Sequence, residues 1–278
     1  MARADAAIGR VLTGQVRSVR NALWSRLPAY GRRELTVRNA LRSRHAWDVR
    51  LVRMLSRSPG VALDVGANIG AYTLLLAPRF SGVHAVEPNA AAAARLAALS
   101  LPNVTLHRVG LSSAPGEATL FVPEHNGVPI TGLGSLQSAP TSEGLAGSAT
   151  TIRLETLDGL ALDGPLAFVK IDVEGHELDV IDGGMAALAR DLPPVLIELE
   201  ERHRAGAVAS VSARLAELGY AGWFGWNGHL LPAEQFEPDR HQPIEDIAKP
   251  DYANMFLFVA AGSDEVLERA RTAVSPQR

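Results

Sequence analysis

Leu63-Asp64-Val65-Gly66-Ala67-Asn68-Ile69-Gly70 closes a short apolar run, Val61–Val65, and opens a segment, Gly70–Ala77, of helical texture. An apolar strand handed to a helix through two glycines is how an open α/β sheet begins. Gly66 and Gly70 remove side chains at the turn, so backbone N–H groups there can approach a ligand closely. Sheets of this kind bind ligands beyond the carboxyl ends of their strands, at the point where strand order reverses. Outward from the turn, Val83–Val86 reads as a second strand ending on Glu87-Pro88-Asn89, and Asn89 is placed to cap an alanine-rich helix running to Leu99. Val104–Val109, Phe168–Val173, Val195–Leu199 and Met255–Ala260 read as further strands, with helices from about His176 and near Ala207–Leu218. This alternation predicts an α/β fold with a parallel sheet covered by helices on both faces.

Glu87 ends the second strand 23 residues after Asp64. A carboxylate at that place can accept both hydroxyls of a ribose. The glycine turn itself departs from the dinucleotide fingerprint: from Gly66 it reads G-x-N-x-G, with Asn68 at its centre, and no phosphate-loop motif occurs elsewhere. The expected ligand is therefore a nucleoside without a phosphate bridge, a description that S-adenosylmethionine meets.

Five segments occur in one order: Asp64-Val-Gly-Ala-Asn-Ile-Gly-Ala-Tyr-Thr73, Val86-Glu-Pro-Asn89, Val169-Lys-Ile-Asp-Val-Glu-Gly-His-Glu177, Ile197-Glu-Leu-Glu200 and Asn254-Met-Phe-Leu-Phe-Val259. Together they resemble the FkbM family of S-adenosylmethionine-dependent methyltransferases, over about Val61 to Ala260, with Lys170–Glu177 the most discriminating part. The resemblance implies a seven-stranded, mostly parallel Rossmann-like methyltransferase sheet and O-methylation of a sugar or natural-product hydroxyl. It also implies that the donor contacts Asp64, Gly66, Asn68, Gly70, Tyr72, Thr73, Glu87, Pro88 and Asn89.

Acidic residues gather at two strand ends. Alternation places Lys170, Asp172 and Glu174 on one side of the fourth strand, and Glu198 and Glu200 on one side of the fifth. Buried carboxylates are costly unless paired, hydrogen-bonded or metal-bound, so packing alone does not account for them. A hydroxyl needs a base or a Lewis acid before it attacks a sulfonium methyl. His176, directly after the strand, is the candidate base, with Asp172 and Glu200 completing the catalytic set. Asp172, Glu198 and Glu200 alternatively form an oxygen-ligand site for Mg²⁺. His203 competes as base but is expected at the surface. Glu177 serves as a helix cap or a substrate contact. Trp223, Phe224 and Trp226 suit sugar stacking or, more simply, hairpin packing. Asn254 is a structural candidate.

Composition sets the frame for these readings. The chain has 278 residues, 47 % hydrophobic and 21 % charged, with no cysteine, which excludes disulfides, a thiolate nucleophile and a thiolate metal site. No run approaches the roughly 18–20 apolar residues that span a bilayer, and MARADAAIGR lacks a signal-peptide apolar core. A cytoplasmic location is expected. Residues 1–57 carry thirteen arginines against three acids, a net of +10, on a body of net −13. Ile8 to Leu27 recur at helical spacing, predicting a basic helical extension that either packs on the acidic body or touches an anionic membrane or polymer. The methyltransferase domain is expected over residues 58–262 and a C-terminal helix or tail over 263–278. Residues 123–149 form an irregular Gly/Ser-rich loop, either a lid or an insertion. Two other functions are weighed. Nucleic-acid methylation is disfavoured, because Leu192-Pro193-Pro194-Val195 lacks both key residues of the amine-binding motif and the body is acidic. A non-catalytic cofactor-fold module tethered by its basic arm would not need the strand-end acids.

Overall fold

The structure, a computed structural model, describes residues 46–125, 128–129, 147–247, 249 and 251–275, together with Pro28. In chain order, α1 (Ala46–Met54) precedes β1 (Ser58–Val65), α2 (Ala71–Leu76), β2 (Phe80–Val86), α3 (Ala90–Ala97) and β3 (Val104–His107). Next come β4 (Gly110–Leu111), β5 (Gly116–His125), β6 (Val128–Pro129), β7 (Gly147–Glu155) and β8 (Leu166–Ile171). They are followed by α4 (Glu177–Asp182), α5 (Met185–Asp191), β9 (Val195–Glu198), α6 (Ala207–Ala216), β10 (Tyr220–Trp226) and β11 (His229–Pro232). Last are α7 (Pro238–His241), β12 (Met255–Ala260) and α8 (Asp264–Val274).

One sheet carries the order β11-β10-β12-β9-β8-β1-β2-β3. From β3 to β9 the neighbours run parallel. β12 is antiparallel to β9, β10 to β12, and β11 to β10. The mixed α/β architecture with a large, mostly parallel sheet agrees with the sequence reading, but the expected seven strands become eight. The added strand is β11, which pairs with β10 across Asn227-Gly228. Both turn residues have positive φ, 48° and 77°, the geometry that Asn-Gly supplies to a two-residue hairpin. A second, four-stranded sheet, β4-β7-β5-β6, takes up part of the segment expected as irregular loop. β5 extends to His125 and β7 starts at Gly147, so both ends of 123–149 are strand; residues 126–127 and 130–146 lie outside the described residues.

Apolar side chains fill both faces of the large sheet. Val65, Ile171, Ile197 and Phe256 pack with Val180, Leu188, Val211 and Leu215 of the helices α4 to α6. On the other face Ala62, Phe168, Leu196 and Leu257 meet Val49, Leu51 and Val52 of α1 and Ala270 and Ala273 of α8. The end of the segment expected as an N-terminal extension is thus a core helix of the domain. The basic helix expected over Ile8–Leu27, and any membrane contact through it, lie outside the described residues. Among the described residues no helix is long and apolar enough to cross a membrane.

Candidate active site

Strand register brings the functional segments to one edge. Val65 pairs with Val86 on one side and Ile171 on the other, and Ile171 pairs with Ile197. The residues that follow, Gly66, Glu87, Asp172 and Glu198, therefore stand along the carboxyl ends of neighbouring strands. Gly66 and Ala67 donate their N–H groups to Val86 O (both 3.0 Å), and Asp172 N donates to Val65 O (3.0 Å). Gly66 has φ +75°, and a Cβ there would lie 1.8 Å from Asp172 O. Only glycine lets the two strand ends meet this closely.

A cleft opens over this edge. Gly66, Asn68, Glu87, Pro88, Asn89 and Asp172, all singled out from sequence, line it. Glu87 is held at both oxygens: Oε2 accepts Asn68 N (2.8 Å) and Oε1 accepts Asn89 N (2.7 Å). Asn89 in turn caps α3, its Oδ1 accepting from Ala91 N and Ala92 N. Each Glu87 oxygen keeps spare acceptor capacity, enough for two vicinal hydroxyls. Burial pushes the Glu87 carboxyl up to about 7, although the two backbone N–H groups pull the other way. Val86, Val109, Leu111 and Leu120 supply an apolar wall beside it. Carboxylate and apolar wall together fit a nucleoside such as the adenosine half of S-adenosylmethionine. Sequence reading missed Val109, Leu111 and Leu120, which carry no motif and enter from the second sheet and its approach.

Four other expected donor contacts do not line the cleft and instead support it from behind. Gly70 opens α2 at φ +88°, against Leu96 and Leu99. Thr73 Oγ1 donates to Asp64 Oδ2 at 2.5 Å, and burial raises the Asp64 carboxyl to about 6. Tyr72 OH donates to Asp48 Oδ2, and the ammonium of the buried Lys170 lies 5.1 Å from the Tyr72 ring centre. The motif residues are thus partly ligand-facing and partly structural.

The strand-end acids also divide. β8 ends at Ile171, and Glu174 has φ +54° followed by Gly175 at +100°. The strand alternation expected through Glu174 is therefore broken by a left-handed turn. That turn aims Glu174 into the cleft lining beside Asp172. His203 Nε2 lies 2.8 Å from Glu174 Oε2, and both side chains are mostly shielded. Burial raises the Glu174 carboxyl, with His203 opposing. His203 is thus not the surface residue expected. His176, by contrast, sits off the cleft lining: Nε2 is 2.9 Å from Ser112 Oγ and Nδ1 is 3.4 Å from Asp179 Oδ2. Glu177 accepts Gly175 N (2.8 Å), so its observed contact is the cap-like one.

Glu200 is drawn away from the cleft by Arg202 Nε and by Tyr252 OH (3.2 Å). Burial would raise its carboxyl, but Arg202 outweighs this and holds it below the usual value. Asn254 Nδ2 donates to Glu198 Oε1 and lies 3.5 Å from Glu200 Oε1, which explains its place before β12. Burial, with Asp172 adding, lifts the Glu198 carboxyl well above its ordinary value. Lys170 Nζ stands 3.6 Å from Asp172 Oδ2. Among the described residues no three His, Asp or Glu side chains are placed to hold a metal ion. The Mg²⁺ site expected from Asp172, Glu198 and Glu200 is not supported by this arrangement, in which an amide and two cations already serve the three carboxylates. Trp223, Phe224 and Trp226 lie on β10, with Phe224 fully buried against Phe236 and Phe256, so hairpin packing accounts for the cluster's centre.

Three comparisons bear on this geometry. A family model described as the methyltransferase FkbM domain matches residues 64–221. Over 146 residues the chain is 34 % identical to the hexuronic acid methyltransferase AglP of Haloferax volcanii, an alignment covering 50 % of this chain and 56 % of that protein. The chain thus spans little more than half the length of this relative. Among solved structures, methyltransferase FkbM from Methylobacillus flagellatus KT aligns at a TM-score of 0.49 and 17 % identity, covering 74 % of this chain and 45 % of that one. SMU.1697c from Streptococcus mutans, in complex with SAH, aligns at 0.43 and 11 % identity over 76 % and 94 % of the two chains.

Proposed function

This chain belongs to the FkbM family of S-adenosylmethionine-dependent methyltransferases, and from that premise we propose that it methylates a hydroxyl of a sugar or glycan acceptor. The hexuronic acid methyltransferase relative supports a sugar over a polyketide-type alcohol. The observation that carries O-methylation is the Glu174–His203 pair at 2.8 Å, because Glu174 lines the same cleft as Glu87 and Asp172. Bound S-adenosylmethionine supplies an electrophilic sulfonium methyl group. Glu87 holds the ribose hydroxyls, and Val86, Val109 and Leu111 cover the adenine. The Glu174 carboxylate, which lines the cleft, takes the acceptor hydroxyl proton and passes it to His203 Nε2, 2.8 Å behind it, so that the proton ends on the imidazole. Asp172, beside them in the cleft lining, orients the hydroxyl. Glu200 acts one step back, fixing the loop of Arg202 and His203 rather than touching the acceptor. His176 is assigned a structural role at the start of α4.

Incubation with methyl-labelled S-adenosylmethionine and a panel of uronate-containing glycans, neutral glycans and polyketide-type alcohols tests this reading. Mass spectrometry should find one added methyl on a sugar, and the label should survive mild base, as an ether does. A base-labile methyl ester, label in the alcohols alone, or no transfer would contradict it.

A further inference from the structure

A second cavity, of about 560 Å³, opens beside α7 and the β10–β11 hairpin, and neither the donor cleft nor the proton relay uses it. Trp226, His229, Glu234, Glu237, Arg240 and His241 line it. Its position follows from register. β10 is antiparallel to β12, and β12 to β9, so Phe224 aligns with Phe256 and Ile197. Trp226 at the end of β10 therefore faces the same edge of the sheet as Asp172 and Glu198. Three strand steps separate β8 from β10, roughly 14 Å at the usual inter-strand spacing. The two sites are also stitched together. Gln242, next to the cavity wall, accepts Glu201 N (2.9 Å) at Oε1 and donates through Nε2 to Leu199 O (2.6 Å) and Ala253 O (2.7 Å). The loop so fixed is the one that carries His203.

Arg240 gives the cavity its chemistry. Its guanidinium stands 4.7 Å from the Trp226 ring centre, while His241 packs edge-on against the same ring at 4.8 Å. The side chain is exposed and has no carboxylate partner among the described residues, whereas Arg202, Arg204 and Arg214 are each paired with one. An arginine held over an aromatic ring keeps its N–H fork available for bidentate capture of a carboxylate. Glu234 and Glu237 on the rim supply acceptors for hydroxyl groups. A ligand with one carboxylate and several hydroxyls matches this set.

We propose that this cavity is a distal acceptor subsite, which takes a carboxylate-bearing sugar unit of an oligosaccharide whose methylated unit lies near Asp172 and His203. The inference rests on the sugar-acceptor reading above and adds that the acceptor is longer than one sugar and acidic at its far unit.

Calorimetric titration of the full chain with α-1,4-linked trigalacturonate, with galacturonate and with neutral maltotriose tests it, alongside a separate titration with S-adenosylhomocysteine. The trimer should bind about tenfold or more tightly than maltotriose, the worth of one charge-assisted bidentate pair, and more tightly than the monomer. Arg240→Ala should remove that preference, Arg240→Lys should restore part of it, and donor-product affinity should stay within about twofold in both. Equal binding of trimer and maltotriose, an unchanged preference in Arg240→Ala, or no trimer binding by protein that binds S-adenosylhomocysteine would overturn the subsite. Failure to bind S-adenosylhomocysteine would strike the donor cleft instead, and the sugar titrations would still decide the second cavity.

Discussion

Lowering the pH from 8 to 6 should weaken S-adenosylhomocysteine binding about tenfold, through Glu87 alone. The free protein holds this carboxyl at about 7, because burial outweighs the two backbone N–H groups that favour the anion. Only the ionised carboxylate can accept those N–H groups and two ribose hydroxyls together; a proton occupies one of the acceptor sites. Binding favours the anion, so affinity is full above about pH 8, and below 7 each further unit of acidity must first be undone by expelling a proton. With a midpoint near 7 the ionised share falls from about nine-tenths at pH 8 to about one-tenth at pH 6, a loss near 1.4 kcal/mol. Glu87→Gln keeps the shape and cannot ionise. It should bind weakly at every pH, by about 1.5–3 kcal/mol for each charge-assisted hydrogen bond it removes, and its pH profile should be flatter by that same tenfold. Calorimetry at pH 8, 7 and 6 on both proteins reads the difference directly. Parallel profiles would refute the assignment, and a shared slope would point to Asp64, whose carboxyl burial raises to about 6.

His203→Gln should lower kcat by roughly 10²- to 10⁴-fold with donor-product affinity kept within a few-fold, while His176→Gln leaves kcat within several-fold; the reverse ranking in steady-state kinetics would restore His176 as the base. Gly66→Ala should cost about 2–4 kcal/mol in denaturant titration and abolish donor binding, since its Cβ would fall 1.8 Å from Asp172 O at a positive φ; unchanged stability would mean the strand ends are not so tightly apposed. His84 and His107 form a stacked pair with ring nitrogens 3.0 Å apart, and burial holds both below the usual imidazole value. The unfolded chain takes up protons first, so this contribution to stability is full above about pH 6.5 and fades as the pH falls below it. Denaturant midpoints from pH 7.5 to 5.5 should therefore fall more steeply in the native chain than in His84→Leu; equal slopes would assign acid sensitivity elsewhere.

Where one periodicity dominates, the sequence announced the fold. The runs at Val61–Val65, Val83–Val86 and Val195–Leu199 are buried on both faces and became central parallel strands. The glycine turn and Glu87 were legible for a related reason: close backbone approach and a buried carboxylate are demands that few residues can meet. Strand β11 is not legible in the sequence although Asn227-Gly228 signals a hairpin, because His229–Pro232 is only four residues long and closes on a proline. The acid cluster was readable in kind but not in direction. Glu174 turns into the cleft through a left-handed conformation that alternation cannot foresee. His203 sits 29 residues beyond Glu174 in sequence, and only the register of β8 with β9 brings their strand ends together. Glu198 and Glu200 suggest metal ligation when read from sequence, where their contacts with Asn254 and Arg202, from other positions in the fold, cannot be seen.

A crystal grown with S-adenosylhomocysteine tests the central claim most directly. The account predicts density in the cleft, with both ribose hydroxyls on the Glu87 carboxylate, the adenine against Val86 and Leu111, and the sulfur facing Asp172 and Glu174. Density at another edge of the sheet, or a ribose that leaves Glu87 untouched, would contradict it.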